Sequence, residues 1–261
     1  MKTPVLVLHA PGTNRDHEAA EACAMAGGDP EILTVGELIA GKRRLAEYGM
    51  LVLPGGFSFG DDLGAGRVWS LALKHTLRAD VEAFVASGKP VLGICNGFQA
   101  LIKSGLLPLS GSGVWAEERP ATLTHNASGR FECRWVTLEP QANSPCVFTR
   151  DLDEPIYCPV AHGEGRIVIR DDAALEGLEN GGQVALRYGG ASAATVGYPE
   201  NPNGSINHIA ALCNPQGNVM GMMPHPEDHI YETQHPGYGR GERGRSGLGL
   251  FRSGVRYAAG L

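Results

Sequence analysis

A cysteine between two glycines is the strongest candidate for chemistry in this chain of 261 residues. Cys95 lies between Gly93 and Gly97 in the segment GICNG, directly after the apolar run Val91–Ile94. The pattern G-x-nucleophile-x-G at a strand-to-helix junction is typical of a sharp turn that leaves the central side chain exposed. The positive end of the following helix favours the thiolate, which is the nucleophilic form. A buried structural cysteine is the alternative, and the predicted flanking strand and helix favour the nucleophile.

A histidine and a glutamate near the C-terminus could supply the base that such a cysteine needs and the group that orients this base. They lie in the segment MPHPE, where prolines follow Met223 and His225 and favour extended backbone. Side chains two residues apart on an extended chain project to the same face. Glu227 can therefore hold one imidazole nitrogen of His225 while the other nitrogen faces Cys95. A lone histidine is more often a surface or core residue, but this interpretation fits the other histidines better.

Two glycine-rich loops could bind a substrate. Residues 54–61 (PGGFSFGD) follow an apolar run, so their backbone N–H groups point out of the carboxyl edge of a sheet. Open α/β folds bind ligands at this edge, and such N–H groups can stabilise an oxyanion. Residues 161–166 (AHGEGR) could bind a small charged molecule, although by themselves they indicate only a turn. Residues 201–205 (NPNGS) also indicate a turn, with an optional binding role.

Sequence motifs for nucleotides and metals are absent. The chain has neither a G-x-x-x-x-G-K-[ST] phosphate loop nor a G-x-G-x-x-G after its first apolar run, which disfavours nucleotide binding. We expect no metal, because His225 and Glu227 are assigned to the cysteine and no other group has ligand spacing. The six cysteines form no C-x-x-C pair, so neither a zinc ribbon nor a disulfide framework is indicated.

Composition narrows the class of partner. The chain is 43% hydrophobic and 19% charged, which is typical of a globular protein. Its net charge of −6 gives no support to binding of nucleic acid or anionic lipid. No apolar run approaches the ~18–20 residues of a membrane-spanning helix, and the N-terminus lacks the features of a signal peptide. We expect a cytoplasmic protein that binds a small molecule or another protein.

Strands and helices alternate through the first hundred residues. Each predicted strand is apolar along its whole length, which indicates a parallel sheet covered on both faces. We therefore predict an α/β fold with a mainly parallel sheet and helices on both faces. The predicted strands are Val5–His9, Ile32–Val35, Met50–Leu53 and Val91–Ile94, and the predicted helices are Asp16–Ala26, about Gly66 to Ala86, and Phe98–Lys103.

The pattern changes in the second half of the chain. Residues 121–168 contain short β-rich pieces such as Phe131–Leu138, which predict a small antiparallel β annex. No internal repeat or linker divides the chain, so residues 1–261 are predicted to form a single domain. The Gly/Arg-rich stretch 237–249 predicts a mobile surface loop before a closing helix at about Leu250–Tyr257. The net negative charge of the chain disfavours an RNA contact in this stretch. Further strands are predicted at Val184–Tyr188, Ile209–Cys213 and Asn218–Met223.

Taken together, the motifs resemble the class I (triad) glutamine amidotransferases, and within them the glutaminase subunits of phosphoribosylformylglycinamidine synthases. GICNGFQ together with HGEGR is far more specific than the general G-x-C-x-G pattern. Phe59 and the sequence GDDLGAG depart from the forms GFSYGD and GDYLRPG of many family members, which affects the loop surface more than its backbone chemistry. The resemblance covers nearly the whole chain, through GTN at 12–14, PGGFSFGDDLGAG at 54–66, GICNGFQ at 93–99, FECRW at 131–135, AHGEGR at 161–166, NPNGS at 201–205 and GMMPHPE at 221–227.

The resemblance implies roles for individual residues. Cys95 would be the nucleophile that forms a glutamyl thioester, His225 its base and later its acid, and Glu227 the orienting carboxylate. The implied oxyanion donors are backbone N–H groups of Gly56 or Phe57 and of Asn96, and the groups that would help hold the amino-acid part of glutamine are Gln99 and the loop residues His162, Gly163 and Glu164.

The resemblance also implies the reaction and its partners. The chain would hydrolyse L-glutamine to glutamate and ammonia without a cofactor of its own. Ammonia would pass to a separate synthetase subunit, which uses ATP and magnesium to convert formylglycinamide ribonucleotide (FGAR) to its amidine (FGAM) in de novo purine biosynthesis. A small bridging subunit occurs in relatives of this kind. Two alternatives stay open: a stand-alone cysteine hydrolase of γ-glutamyl or peptide bonds, and a non-catalytic regulatory domain.

Overall fold

Eleven strands and seven α-helices make up the part of the chain that the computed structural model describes, which is residues 2–108, 113–116, 118–189 and 196–261. A π-helical turn, Ala72–Thr76, joins the third and fourth helices. Among these residues, no helix is both long and apolar enough to span a membrane. In chain order the elements are β1 Thr3–His9, α1 Asp16–Met25, β2 Gly28–Thr34, α2 Val35–Ile39, β3 Met50–Leu53, α3 Arg67–Leu71, α4 Arg78–Ala86, β4 Val91–Ile94, α5 Asn96–Ser104, β5 Ala121–Thr124, β6 Glu132–Pro140, β7 Ile156–His162, β8 Arg166–Ile169, α6 Asp172–Asn180, β9 Val184–Gly189, β10 Ile209–Cys213, β11 Val219–Met222 and α7 Leu248–Ala259.

The main sheet contains nine strands in the order β2-β1-β3-β4-β11-β10-β9-β6-β7. Neighbours from β2 to β11 are parallel. The neighbours from β11 to β7 are antiparallel, so β10 and β6 run against the other strands. Strands β5 and β8 form a separate antiparallel pair. The structure confirms the predicted mainly parallel sheet and the small antiparallel annex.

One strand assigned to the annex lies elsewhere. The predicted strand Phe131–Leu138 corresponds to β6, which belongs to the main sheet between β9 and β7. Its inward side chains Val136 and Leu138 are buried in the common core. An alternating apolar pattern predicts a half-buried strand but not its partner, so this part of the prediction was wrong.

The boundary between β2 and α2 also differs from the prediction. The predicted strand Ile32–Val35 ends one residue early, because Val35 already begins α2. The Thr34 hydroxyl accepts a hydrogen bond from the Glu37 N–H at 3.1 Å, and the Glu37 carboxylate accepts one from the Thr34 N–H at 3.0 Å. This capping box satisfies amides at the start of the helix and ends the strand at Thr34.

Helices cover both faces of the parallel half of the sheet. Met50 and Leu53 are three residues apart on β3, so their side chains point to opposite faces. Met50 packs against Gly254 of α7, and Leu53 packs against Gly97 of α5. Because α1 contacts α7 and α3 contacts α5, each face carries one of these helix pairs.

The carboxyl ends of three adjacent parallel strands bring the predicted site residues to one edge. Strand β4 lies between β3 and β11, and Cys95 follows it directly. The loop Pro54–Gly66 follows β3, and the segment Met223–Glu227 follows β11. The topology therefore places the predicted nucleophile between the predicted oxyanion loop and the predicted base.

The Gly/Arg-rich stretch 237–249 is tied to the body of the protein at its C-terminal end. The Arg245 carbonyl accepts a hydrogen bond from the Tyr157 N–H at 2.8 Å, and the Gly247 N–H donates to the His229 carbonyl at 2.8 Å. The closing helix α7 begins at Leu248, two residues earlier than predicted. The mobile-loop interpretation therefore does not fit residues 245–247.

The close packing of α5 on β11 generates a stability prediction. A Cβ added at Gly221 would lie 1.9 Å from a ring carbon of the buried Phe98. Because overpacking of a core costs about 1–3 kcal/mol, we expect Gly221→Ala to lower the free energy of unfolding by about 2 kcal/mol in urea denaturation. Gly177→Ala, with no atom near its added Cβ in α6, should match or slightly exceed the wild type. Equal stability of the two variants would contradict this packing.

Candidate active site

Cys95 forms the sharp turn between β4 and α5. Its φ of 49° and ψ of −105° lie in a region that side chains other than glycine rarely adopt. Its N–H donates to the Met222 carbonyl of β11 at 2.7 Å, and its Sγ lies 3.8 Å from the Ala161 carbonyl oxygen. The residue is only 5% exposed. The predicted sharp turn is therefore present. The Cys95 side chain, which the motif predicts to be exposed, is covered by neighbouring segments.

The two glycines beside Cys95 allow close packing. A Cβ at Gly97 would lie 1.9 Å from the Leu53 carbonyl oxygen, and a Cβ at Gly93 would lie 2.5 Å from a methyl carbon of Leu101. The cysteine itself has the positive φ of the turn. The glycines of the motif thus bring helix and sheet together, while the strained backbone angle belongs to the nucleophile.

His225 and Glu227 form a buried pair beside Cys95. The Nδ1 atom of His225 lies 2.7 Å from Oε1 of Glu227. Gly55 contacts both sides of the site, since a Cβ added there would lie 2.7 Å from Cε1 of His225 and 3.5 Å from Cβ of Cys95. The structure therefore brings the three predicted triad residues together around one glycine.

Charge determines the protonation of this group. Burial lowers the pKa of His225, but the negative charges of Glu227 and of ionised Cys95 outweigh it and raise the pKa well above its usual range. Burial raises the pKa of Glu227, and the nearby His225 opposes that rise. The charged imidazolium of His225 beside Glu227 is therefore the favoured state. An imidazolium close to a cysteine can act as a proton donor when that cysteine attacks a carbonyl carbon.

The loop after β3 offers one of its two predicted backbone donors. The Phe57 N–H donates to the Gly12 carbonyl at 2.9 Å, and the Asn14 N–H donates to the Gly55 carbonyl at 3.3 Å. Neither bond uses the Gly56 N–H. Gly56 has a φ of 148°, and a Cβ there would lie 2.8 Å from the Gly12 oxygen, so only glycine fits. The N–H of Phe57 already has a partner, so the geometry favours Gly56 over Phe57 as the predicted oxyanion donor.

Asn96 connects the nucleophile turn to the same loop. Its Oδ1 accepts a hydrogen bond from the Ser58 N–H at 3.0 Å, and its Nδ2 donates to Asp61 at 2.9 Å and to Gln99 at 3.0 Å. Its backbone N–H belongs to the first turn of α5, where amides have no acceptor within the helix. The backbone is thus placed for the predicted oxyanion role, and the side chain has a structural role that no sequence signal indicated.

Gln99 supports the 161–166 loop. Its Nε2 donates to the Glu164 carbonyl at 2.7 Å, while its Oε1 accepts the bond from Asn96. One turn later, Lys103 lies 3.6 Å from the Glu164 carboxylate. Both ends of the Gln99 amide are bonded to protein, so the structure assigns it to positioning of the loop.

His162 is buried in the same loop and is neutral. Its Nδ1 lies 3.1 Å from Oδ1 of Asn126, whose Nδ2 donates to the His162 carbonyl at 2.8 Å. Because that Oδ1 can only accept, Nδ1 carries the proton and Nε2 is an acceptor. Burial, and then the charge of His225, lower the pKa of His162 to about 3. Its Nε2 has no partner among the described residues.

Two asparagines outside the predicted set fix this loop. The Asn126 N–H donates to the Gly163 carbonyl at 2.9 Å, and its Oδ1 also accepts from the Gly165 N–H at 3.0 Å. Asn203, in the predicted NPNGS turn, donates to the Gly165 carbonyl at 2.8 Å. NPNGS therefore supports the loop, whereas Asn126 lies in a stretch without a recognisable motif.

One cluster of potential metal ligands occurs within the described ranges. It consists of His225, Glu227 and Asp228. The first two residues already pair with each other, and Asp228 lies 3.3 Å from the Arg15 guanidinium. The arrangement is therefore suited to acid–base chemistry at Cys95.

Comparison with known proteins gives a consistent result. The family of CobB/CobQ-like glutamine amidotransferase domains matches residues 2–258. The chain is 46% identical to the phosphoribosylformylglycinamidine synthase subunit PurQ of Treponema denticola, over 98% of this chain and 99% of the relative. It is 40% identical to the subunit of the same name from Dehalococcoides mccartyi, over 98% of each. A chain of the PurLQS structure from Thermotoga maritima superimposes with a TM-score of 0.73 at 33% identity, over 98% of this chain and 99% of that one.

The contact between Gly55 and the triad generates a prediction on activity. In Gly55→Ala the new methyl group displaces the His225 ring from Cys95, and a displacement of about 1 Å can cost roughly 100-fold in rate. We expect glutamine turnover to fall by about that factor in a variant that circular dichroism shows to be folded. Gly36→Ala, which meets no close atom at the start of α2, serves as the control. Wild-type turnover in Gly55→Ala would contradict the assigned geometry.

The neutral His162 generates a prediction on stability and pH. A histidine in the unfolded chain binds a proton near its ordinary pKa of 6.5, whereas folded His162 remains neutral down to about pH 3. Below pH 6.5 the unfolded state therefore binds more protons, and the stability falls. Between pH 7 and 5 the wild type should lose about 2 kcal/mol more unfolding free energy than His162→Gln, measured by denaturant titration. The same loss in both proteins would show that His162 is protonated in the fold.

Proposed function

The chain belongs to the family of CobB/CobQ-like glutamine amidotransferase domains, and we propose that it is the glutaminase subunit of a phosphoribosylformylglycinamidine synthase. Its similarity to two PurQ subunits over nearly their whole length supports this proposal. The single observation that carries the chemistry is the buried group of Cys95, His225 and Glu227 around Gly55. In the proposed reaction, this group hydrolyses L-glutamine to glutamate and ammonia.

The first half of the reaction forms a thioester. The Cys95 thiolate attacks the side-chain amide carbon of glutamine, and the carbonyl oxygen becomes negative. The N–H groups of Gly56 and Asn96 stabilise this charge, because preorganised donors are most effective where charge develops. The His225 imidazolium then protonates the amide nitrogen, the C–N bond breaks, and ammonia leaves.

The second half of the reaction releases glutamate. A water molecule takes the place of ammonia, and neutral His225 removes its proton as the water attacks the thioester carbon. The C–S bond breaks and the Cys95 thiolate is restored. Glu227 fixes the orientation of the imidazole in both halves and stabilises its charged form, so its role is that of a positioning group.

Residues 162–164 of the 161–166 loop hold the amino-acid part of glutamine in this proposal. The unpaired Nε2 of neutral His162 can accept a hydrogen bond from the α-ammonium group of the substrate. Gly163 and Glu164 lie beside it, and Gln99 holds the loop against α5 through the Glu164 carbonyl. Specificity for a free amino acid over a peptide would then depend on recognition of this ammonium group.

The partner in this proposal is a synthetase subunit. It binds ATP and magnesium and uses the ammonia to convert FGAR to FGAM in purine biosynthesis. The present chain has no phosphate loop of its own for ATP. Cys95 is buried in the isolated chain, which supports low glutaminase activity alone and higher activity in the complex.

Glutamate release tests the proposed function. We expect slow release by the chain alone and faster release with the synthetase and its nucleotide substrates. Cys95→Ala should reduce both rates by about 1,000-fold or more, because no thioester can form. Cys133→Ala, which removes an exposed thiol, should leave them unchanged.

The other outcomes separate the alternatives. Rapid cleavage of glutamine or γ-glutamyl peptides with no response to the synthetase would indicate a stand-alone hydrolase. If neither substrate is cleaved in any combination, the chain is a non-catalytic domain.

A further inference from the structure

The loop between β3 and α3 presents an apolar side chain to solvent. Leu63 is 85% exposed, the largest exposed fraction among the large hydrophobic residues that the structure describes. Its φ of 63° is left-handed, a conformation in which leucine is rare and glycine or asparagine is favoured. An exposed leucine in this conformation contributes neither to the core nor to an easy turn, which points to a contact outside the chain.

The loop is strained at more than one position. Phe59 and Asp61 both have a φ of 54°, so three residues other than glycine adopt left-handed backbone between residues 59 and 63. Such conformations persist only where the surroundings hold them. Backbone hydrogen bonds hold part of the loop, such as the one from the Phe59 N–H to the Pro11 carbonyl at 2.6 Å. The Asn96 side chain adds its bonds to the Ser58 N–H and the Asp61 carboxylate, so the residue next to the nucleophile also holds the strained loop.

Positive charge lies beside the exposed leucine. The Arg67 N–H donates to the Gly64 carbonyl at 3.0 Å, which places Arg67 directly after the loop. Arg67, Arg119 and Arg170 line a groove of about 490 Å³. Arg170 pairs with Glu118 and with its neighbour Asp171. Arg67 and Arg119 have no carboxylate partner within the part of the chain that the structure describes. In a chain of net charge −6, the guanidinium groups of Arg67 and Arg119 mark a surface for acidic groups.

We propose that Leu63, Arg67 and Arg119, here called the loop patch, are the docking surface for the synthetase subunit. The partner would offer an apolar pocket for Leu63 and carboxylates for the two arginines. This inference rests on the proposed function. Contact at Leu63 acts on the loop that Asn96 holds, and the same loop carries the Gly56 N–H. Docking therefore sets the position of the oxyanion donors, so that the bound synthetase controls glutamine hydrolysis.

Charge reversal tests the electrostatic half of the inference. We expect Arg67→Glu/Arg119→Glu to weaken the affinity of the full chain for the synthetase of the same organism by about tenfold or more, measured by calorimetry. The wild-type affinity should fall between about 50 and 300 mM salt, because exposed charges are screened, and the double variant should lose this dependence. Lys42→Glu/Arg44→Glu changes the net charge equally at exposed residues before β3, on the other edge of the sheet, and should bind like the wild type.

Replacement of the leucine tests the apolar half. Leu63→Asn keeps a residue that tolerates left-handed backbone and removes the apolar surface. We expect it to leave glutamate release by the isolated chain unchanged and to raise, by about fivefold or more, the synthetase concentration needed for half-maximal stimulation. Leu261→Asn, at an exposed leucine beyond α7, is the matched control and should respond like the wild type.

The outcomes distinguish this inference from the function on which it rests. If the synthetase stimulates the wild type and binds the loop-patch variants equally well, the docking surface lies elsewhere and the proposed function stands. If the wild type releases glutamate but neither binds nor responds to the synthetase, both are overturned. Weaker binding of the loop-patch variants alone, with normal control variants, supports the loop patch.

Discussion

The left-handed backbone of Cys95 is the constraint on which the rest of the structure depends. A residue with a side chain adopts this conformation only when its neighbours hold it there. The contacts that hold it come from three strands. Strand β4 leads directly into the turn, and the Met222 carbonyl of β11 accepts a hydrogen bond from the Cys95 N–H. Gly97 of α5 packs closely against Leu53 of β3. These strands are adjacent and parallel, so the same edge that bends the nucleophile also delivers its base and its oxyanion loop. The order of the strands in the sheet therefore determines which groups meet at the nucleophile.

Burial of the site divides its two histidines into different roles. A charged imidazole in a core needs a negative partner, and His225 has Glu227 on one side and the cysteine on the other. His162 has only the neutral amide of Asn126, and the charge of His225 nearby disfavours a second cation. One ring is thus held as a proton donor and the other as an acceptor. This difference follows from the neighbours of each ring, since both are histidines that lie almost fully buried.

Sequence analysis succeeds where a short segment determines the outcome. The apolar runs before Pro54 and Cys95 predict buried parallel strands. The glycine-flanked cysteine motif and the spacing of His225 and Glu227 predict the triad residues, which the structure brings together. It fails where the outcome depends on distant segments. The bond from Phe57 to Gly12, the support of His162 by Asn126, and the place of β6 in the main sheet each join parts of the chain far apart in sequence. No local pattern contains that information.

Asn96 joins the nucleophile turn to the loop after β3 and to the loop proposed to hold the substrate. Its backbone follows the nucleophile and belongs to the first turn of α5, while its side chain spans to Ser58, Asp61 and Gln99. Through Gln99 the same network reaches Glu164 and the loop proposed to hold the substrate. If the loop after β3 is displaced and these bonds stay intact, then α5 or the 161–166 loop must move as well. Because packed elements of this kind shift between discrete arrangements rather than deform continuously, a contact on the loop surface can change the catalytic geometry as a unit.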